Sequence, residues 1–216
     1  MQSKVKVGDI TKVSGEVNIA AGNIVKNIRT IYHRSLTAAE EAAKTRSWEN
    51  KLLAEGVVSY LQRLQQQTKR HDENGSPYKG LLEYRLEDAE AFFGRNAAIY
   101  DLLAVMDRGP LTILHSESGA GKTSLLRAGI IPRILAHGHL PILLRPYNRL
   151  PSEVLRRAFL PDLSQSPILG KAPLRDFLSR VSNILGSKTS LYFLIDQFEE
   201  FFNHVDVKEQ ETFITD

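Results

Sequence analysis

Eight consecutive residues carry the clearest chemistry in this chain: Ser116-Glu117-Ser118-Gly119-Ala120-Gly121-Lys122-Thr123. A phosphate-binding P-loop (the Walker A pattern) reads Gly, four residues, then Gly-Lys-Ser/Thr. The second half of that pattern is intact here. Glycines let such a loop wrap so that successive backbone N–H groups face inward. A helix opening at Lys122 aims its N-terminal dipole at the same point. The Lys122 ammonium suits terminal phosphates, and the Thr123 hydroxyl suits Mg²⁺. ATP or GTP with magnesium is therefore the expected ligand. Ser116 replaces the first glycine of the pattern. If the backbone there takes a positive φ, serine costs about 1 kcal/mol. The plainer reading, a glycine-rich turn bearing a surface lysine, leaves unexplained why the loop falls between an apolar run and a helical pattern.

A P-loop site also needs a carboxylate at the tip of a neighbouring strand to hold the magnesium shell. The apolar run Leu191-Tyr192-Phe193-Leu194-Ile195 ends on Asp196, which supplies one. Hydrolysis requires a further group to orient or deprotonate water. Gln197 follows Asp196 directly, where many related ATPases place Glu, and Glu199 and Glu200 lie just beyond. Either glutamate serves as the base if the segment turns back toward the phosphate. The competing explanation for the pair is an acidic helix start, favoured by the dipole. Residue types alone do not separate these readings.

The elements that must position these residues follow from periodicity. Leu111 to Leu114, Pro141 to Arg145 and Leu191 to Ile195 are short apolar runs suited to buried strands. Between them, Lys122 to about Ala128, Pro151 to Leu160 and Pro173 to Leu185 read as helices, two of them opened by a proline where proline is tolerated. Upstream, Ile99, Leu102, Leu103 and Met106 make one clean helical face that Asn96 is placed to cap. Leu86 to Phe93 reads as a short helical turn, and Val207 to Phe213 as a last helix start. Strands alternating with helices predict an α/β fold with a parallel sheet. Only three strands are legible, so the P-loop domain is expected to be incomplete at its C-terminal end, as in an N-terminal fragment.

The first 70 residues have a different texture. Val5-Lys6-Val7 and Val17-Asn18-Ile19 alternate like short strands, so a β-rich arm is expected over residues 3–25. Thr37 with Glu40 forms a capping box, and Trp48, Leu52, Leu53, Val57, Tyr60, Leu61 and Leu64 then recur at helical spacing. An amphipathic helix over 37–68 follows, with Gly56 a misfit in its middle. His71 to Pro77 is polar and turn-forming. The expected organisation is an arm-plus-helix module over 1–70, a linker over 71–77 and the P-loop domain over 78–216.

Bulk properties set the limits. The net charge is +3 over 216 residues, with no clustered basic face, which gives no nucleic-acid signal. The absence of cysteine excludes disulfides and Cys-based zinc sites within the sequence. His137-Gly138-His139 lacks a third metal ligand and reads as loop. No stretch has the length and apolarity of a membrane span, and a cytoplasmic setting is the default expectation.

Taken together, several segments resemble the novel STAND NTPases, signal-transduction ATPases with numerous domains that are related to the AAA+ and NACHT groups. They are Pro77-Tyr78-Lys79-Gly80-Leu81, Glu87-Asp88-Ala89, Phe92-Phe93-Gly94-Arg95, Ser118 through Gly129, and Leu194-Ile195-Asp196-Gln197-Phe198-Glu199-Glu200-Phe201-Phe202. The resemblance spans about 77 to 203. It implies ATP as the ligand, with Ser118, Gly119, Ala120, Gly121, Lys122, Thr123 and Ser124 around its phosphates. It also implies slow hydrolysis used as a switch, homo-oligomerisation on activation, a protein effector or sensor, and a bacterial signalling or defence setting. By the same resemblance Arg95 lies near the nucleotide base or at a domain contact. Asn96, where relatives often carry Glu, and Ser116 depart from the pattern. Two other functions compete. One is a non-enzymatic interaction or oligomerisation module built on the 37–68 helix. The other, a small-molecule kinase, leaves the Tyr78 to Arg95 segment unexplained.

Overall fold

The computed structural model describes residues 22–30, 44–69 and 78–215. The β-strand reading of residues 3–21, the capping box at Thr37 and Glu40, and the linker at 71–77 lie outside them. The described residues form two compact units: 65–69 with 78–137, and 22–30 and 44–64 with 138–215.

The second unit is organised on two parallel strands, β1 (Leu140–Leu144) and β2 (Leu191–Ile195). They pair in register from Leu140↔Leu191 to Leu144↔Ile195. A parallel pair needs a long crossover. Here it is made by three helices: α5 (Pro151–Phe159), α6 (Pro167–Lys171) and α7 (Leu174–Leu185). Leu140, Ile142, Phe159, Phe177, Val181 and Leu185 are fully or nearly fully buried and form the core. After β2 come α8 (Glu199–His204) and α9 (Val207–Thr215).

Residues 22–30 form a helix, α1, rather than the end of a β-rich arm. The reason is spacing: Ile24, Val25 and Ile28 share one helical face and are buried, a pattern no strand can bury on one side. Asn27 Nδ2 donates to the Leu185 carbonyl at 3.2 Å. The long helix α2 (Lys44–Lys69) buries Leu53, Val57, Leu61 and Leu64 of its predicted stripe together with Ala54, leaves Leu52 and Tyr60 half-buried, and leaves Trp48 exposed. Gly56 is explained by contact: a Cβ there would overlap the Phe159 carbonyl. Next to it, the Tyr60 hydroxyl donates to the Pro141 carbonyl at 3.1 Å, and Arg63 Nη2 donates to the Ala158 carbonyl at 2.8 Å. The Glu49 carboxylate is buried, which is costly unless compensated. Arg180 Nη1 donates to it at 3.0 Å and Ser166 Oγ at 3.3 Å.

In the first unit a 3-10 turn (Leu86–Ala91) leads to α3 (Asn96–Met106), which packs Ile99 and Leu102 inward. Asn96 is the first helical residue rather than the cap, since the Arg95 backbone already takes that position. The helix after the P-loop is a composite, α4. Lys122–Ser124 is α-helical, Leu125–Ile130 is π-helical and Ile131–Ala136 is α-helical again. Pro132 accounts for the widened turn. Its ring would clash with the carbonyl four residues back, and it has no N–H to give. The Ile131 N–H reaches the Leu126 carbonyl instead, one residue further than in an α-helix. Gly129 makes room for Ile99, whose Cγ1 would stand 2.9 Å from an added Cβ.

Leu111 to Leu114 does not form the expected buried strand. The segment makes no strand pairing, and Leu111 and Ile113 are 79% and 83% exposed. A strand exists only through a hydrogen-bonded neighbour, and among the described residues β1 and β2 pair only with each other. The parallel sheet is therefore two-stranded where three strands were expected.

Two outcomes test this packing. Gly56→Ala should gain up to ~1 kcal/mol of helix propensity. Forcing a Cβ into the Phe159 carbonyl costs more, ~1–3 kcal/mol. The urea midpoint should therefore fall, and a rise would refute the contact. Burial pushes the Tyr60 phenol up to about 12, against lowering pulls from strand backbone and the Arg63 cation. The folded state then holds the phenolic proton more tightly than the unfolded chain. Its stabilising contribution is complete below the unfolded value of about 10 and is lost as pH rises from there through the folded value. Tyr60→Phe should remove ~1–2 kcal/mol of alkaline destabilisation, measured by denaturation at pH 9 and pH 11.5.

Candidate functional site

The loop from Ser116 to Thr123 turns on two left-handed glycines. Gly119 has φ +79° and Gly121 φ +85°, with open space where a Cβ would stand. Gly121 is also the N-cap of α4, so the left-handed turn passes straight into the helix. Ser116 is not among the residues with positive φ, so the serine in place of glycine carries no left-handed strain. Residues 117–120 are exposed.

Lys122 folds over its own loop. Its Nζ donates to the Ser116 carbonyl at 2.7 Å and to the Glu117 carbonyl at 3.1 Å. This puts a full positive charge at the mouth of a loop whose amides are already partly positive. Arg95 Nη2 donates to the Ala120 carbonyl at 3.1 Å, which brings the Phe93-Gly94-Arg95 segment onto the loop. Ser124 is buried, and its Oγ accepts the Tyr84 N–H at 3.0 Å. Ser124 thus ties the segment before the 3-10 turn to the first turn of α4. Arg127 on the same helix pairs with Glu83 at 2.8 Å, and Lys79 pairs with Asp88 at 2.8 Å. These anchors hold residues 79–95 against the helix that carries Lys122 and Thr123. Sequence reasoning missed Glu83 and Tyr84, which belong to no motif, and quoted Arg127 only as part of the family resemblance.

In the second unit, Asp196 sits at the end of β2. It is buried, and its N–H donates to the Leu144 carbonyl at 2.9 Å, extending the ladder by one residue. Gln197 follows with φ +55°. A non-glycine residue in that region is strained, and such strain persists only where the surroundings fix it. The turn starts α8, with Glu200 N–H on the Gln197 carbonyl at 3.0 Å. Glu199 is exposed, whereas Glu200 Oε2 lies 2.8 Å from His204 Nε2. Phe198, Phe201, Phe202 and Phe213 interlock at ring separations of 5.2 to 6.5 Å and anchor α8 to α9. In the loop after β1, Tyr147 is the other non-glycine residue with positive φ (45°) among the described ones. The ends of parallel strands are where α/β sheets place their ligands.

Among the described residues no group of three or more His, Asp or Glu could hold a metal ion, and the oxygens of the kind magnesium takes lie one in each unit. Mg²⁺ takes one or two protein oxygens and completes its shell with phosphate and water. The Thr123 hydroxyl and the Asp196 carboxylate are such oxygens. His137 and His139 are engaged locally: His137 Nδ1 lies 2.7 Å from the Arg133 carbonyl, and His139 Nδ1 accepts the Ser190 N–H at 3.2 Å. No described helix is long and apolar enough to cross a membrane.

Residues 77–216 match the family model described as Novel STAND NTPase 1. No curated protein and no solved structure gives a match.

Because Gly121 holds the left-handed turn that presents the loop, Gly121→Ala should cost ~1–2 kcal/mol of stability even though the space is open. Thermal melting should show the loss. An unchanged melting point would refute the conformational argument.

Proposed function

The chain belongs to the novel STAND NTPase family, and from that premise we propose that it is an ATP-binding switch NTPase. The observation that carries the reading is the 116–123 loop, with its two left-handed glycines and the Lys122 ammonium folded across its mouth. ATP phosphates displace the two carbonyls from Lys122. The exchange is favourable because charge-assisted bonds to phosphate are roughly twice as strong as bonds to neutral acceptors. Backbone amides of Ser118 to Lys122 donate to the phosphate oxygens, that of Ala120 leaving the Glu117 carbonyl it bonds at 3.3 Å, and Arg95 lies near the base or at a domain contact. Thr123 and Asp196 hold Mg²⁺, which neutralises phosphate charge. Glu199 or Glu200 orients the attacking water, and turnover is slow. The nucleotide state then sets self-association and the contact with a protein effector or sensor, in a bacterial signalling or defence setting. Exposed Leu81, Leu111 and Ile113 in the first unit support a surface that association covers.

The test is ATP binding by the full-length protein, measured calorimetrically with and without Mg²⁺. Lys122→Ala should weaken binding at least ~100-fold, in line with ~3 kcal/mol for charge-assisted phosphate bonds. Asp196→Asn should leave metal-free binding intact and abolish the gain from Mg²⁺. Equal tight binding by wild type and Lys122→Ala would end the proposal.

A further inference from the structure

The loop after each strand of the sheet holds one strained non-glycine residue, and the two loops differ in what they hold. Gln197 (φ +55°) turns the chain from Asp196 into α8. Tyr147 (φ +45°) follows β1, and nothing in its local sequence requires a left-handed aromatic residue. A bulky residue held there is strained and persists only where the surroundings fix it. The ring lies over the His204 ring, with centroids 4.6 Å apart and planes 36° apart. His204 in turn places Nε2 at 2.8 Å from Glu200 Oε2, one helical turn back. A chain of contact therefore runs from the loop after β1 through an imidazole to one glutamate of the Glu199-Glu200 pair. Glu199 is exposed.

We propose that His204, backed by the Tyr147 ring, is a positioning residue that holds the Glu200 carboxylate as the water-orienting base. The inference rests on the ATPase reading above and deepens it by choosing between the two glutamates. The imidazole N–H donates to one carboxylate oxygen and fixes the side-chain rotamer. Tyr147 limits the swing of the ring. In the reaction, water attacks the γ-phosphorus and the new O–P bond forms as the bond to the β–γ bridging oxygen breaks. The water proton passes to Glu200, ADP and phosphate leave, and Glu200 returns its proton to solvent. A carboxylate on a free three-bond side chain samples several rotamers, and misplacement by an ångström is costly in rate.

The test is steady-state ATP hydrolysis by the full-length protein. His204→Ala should lower kcat about 10-fold with KM for ATP within about 2-fold. His204→Gln, which keeps a side-chain N–H donor, should recover kcat to within about 3-fold of wild type. In a Glu200→Gln background, His204→Ala should cause no further loss. Glu200→Gln should fall further than Glu199→Gln. The inference is overturned if His204→Ala lowers kcat equally with and without Glu200, raises KM instead, or is not rescued by glutamine. If Glu200→Gln abolishes turnover while His204→Ala does not lower it, the positioning role alone falls. If Glu200→Gln leaves turnover unchanged, or the wild type binds ATP without hydrolysing it, the assignment of the base falls and His204 falls with it.

Discussion

The first unit depends on a backbone constraint: between Ser116 and Lys122 the chain leaves both helix and strand, and the Ala120 N–H bonds within the loop to the Glu117 carbonyl at 3.3 Å. The left-handed turns at Gly119 and Gly121 do this, and the second ends where α4 begins. The remaining contacts of the unit stabilise that choice. Arg95 fixes the Ala120 carbonyl, Ser124 takes the Tyr84 amide, and Glu83 holds Arg127. Pro132 then widens α4 into a π turn, which leaves room for Ile99 against Gly129. An open loop is tolerable because the helix behind it is tied down on several sides.

The second unit solves a different problem, which is to give a short two-stranded sheet a core. An isolated parallel pair has little to bury, and the helices supply the rest. Helix α2 comes close enough for Gly56 to meet the Phe159 backbone, and it adds a buried Glu49 held by Arg180 and Ser166. A buried carboxylate satisfied by two donors from different helices favours one arrangement of α2, because any other leaves the charge unpaired. The rigid strand pair then carries Asp196 at its tip, while the strained Gln197 and the phenylalanine cluster set where α8 points.

Much of this was legible from residue types that have no substitute. Only glycine takes the left-handed turns cheaply, and the Gly-Lys-Thr spacing identified the loop. Strands β1 and β2 both showed as apolar runs, although β1 is mostly buried while β2 buries Leu194 and leaves Phe193 and Ile195 exposed. Leu111 to Leu114 reads the same way and is not a strand, since pairing is a non-local property that a run of leucines cannot report. Periodicity found the face of α2, whereas the reason for Gly56 lay in Phe159, more than a hundred residues away. Residues 22–30 misled because Val, Ile and Asn invite a β reading, although Ile24, Val25 and Ile28 already spelled a helical face. The left-handed Tyr147 and Gln197 gave no signal, because nothing in a tyrosine or glutamine announces a positive φ.

A common feature links the two sets of functional residues. In each unit, charged groups suited to the chemistry already have partners within the protein. Lys122 is held by two carbonyls of its own loop, and Glu200 by His204. The bonds from Lys122 Nζ to the Ser116 and Glu117 carbonyls satisfy the ammonium and tie the loop to the start of α4. On the proposed reading phosphate displaces these bonds, and the affinity is the difference between two sets of interactions. That difference is what the proposed switch requires. A site whose charges were unpaired without ligand would be destabilised and would hold nucleotide too tightly to release it. Internal partners lower the energy of the ligand-free state, bring the two states closer together, and leave the nucleotide free to decide between them.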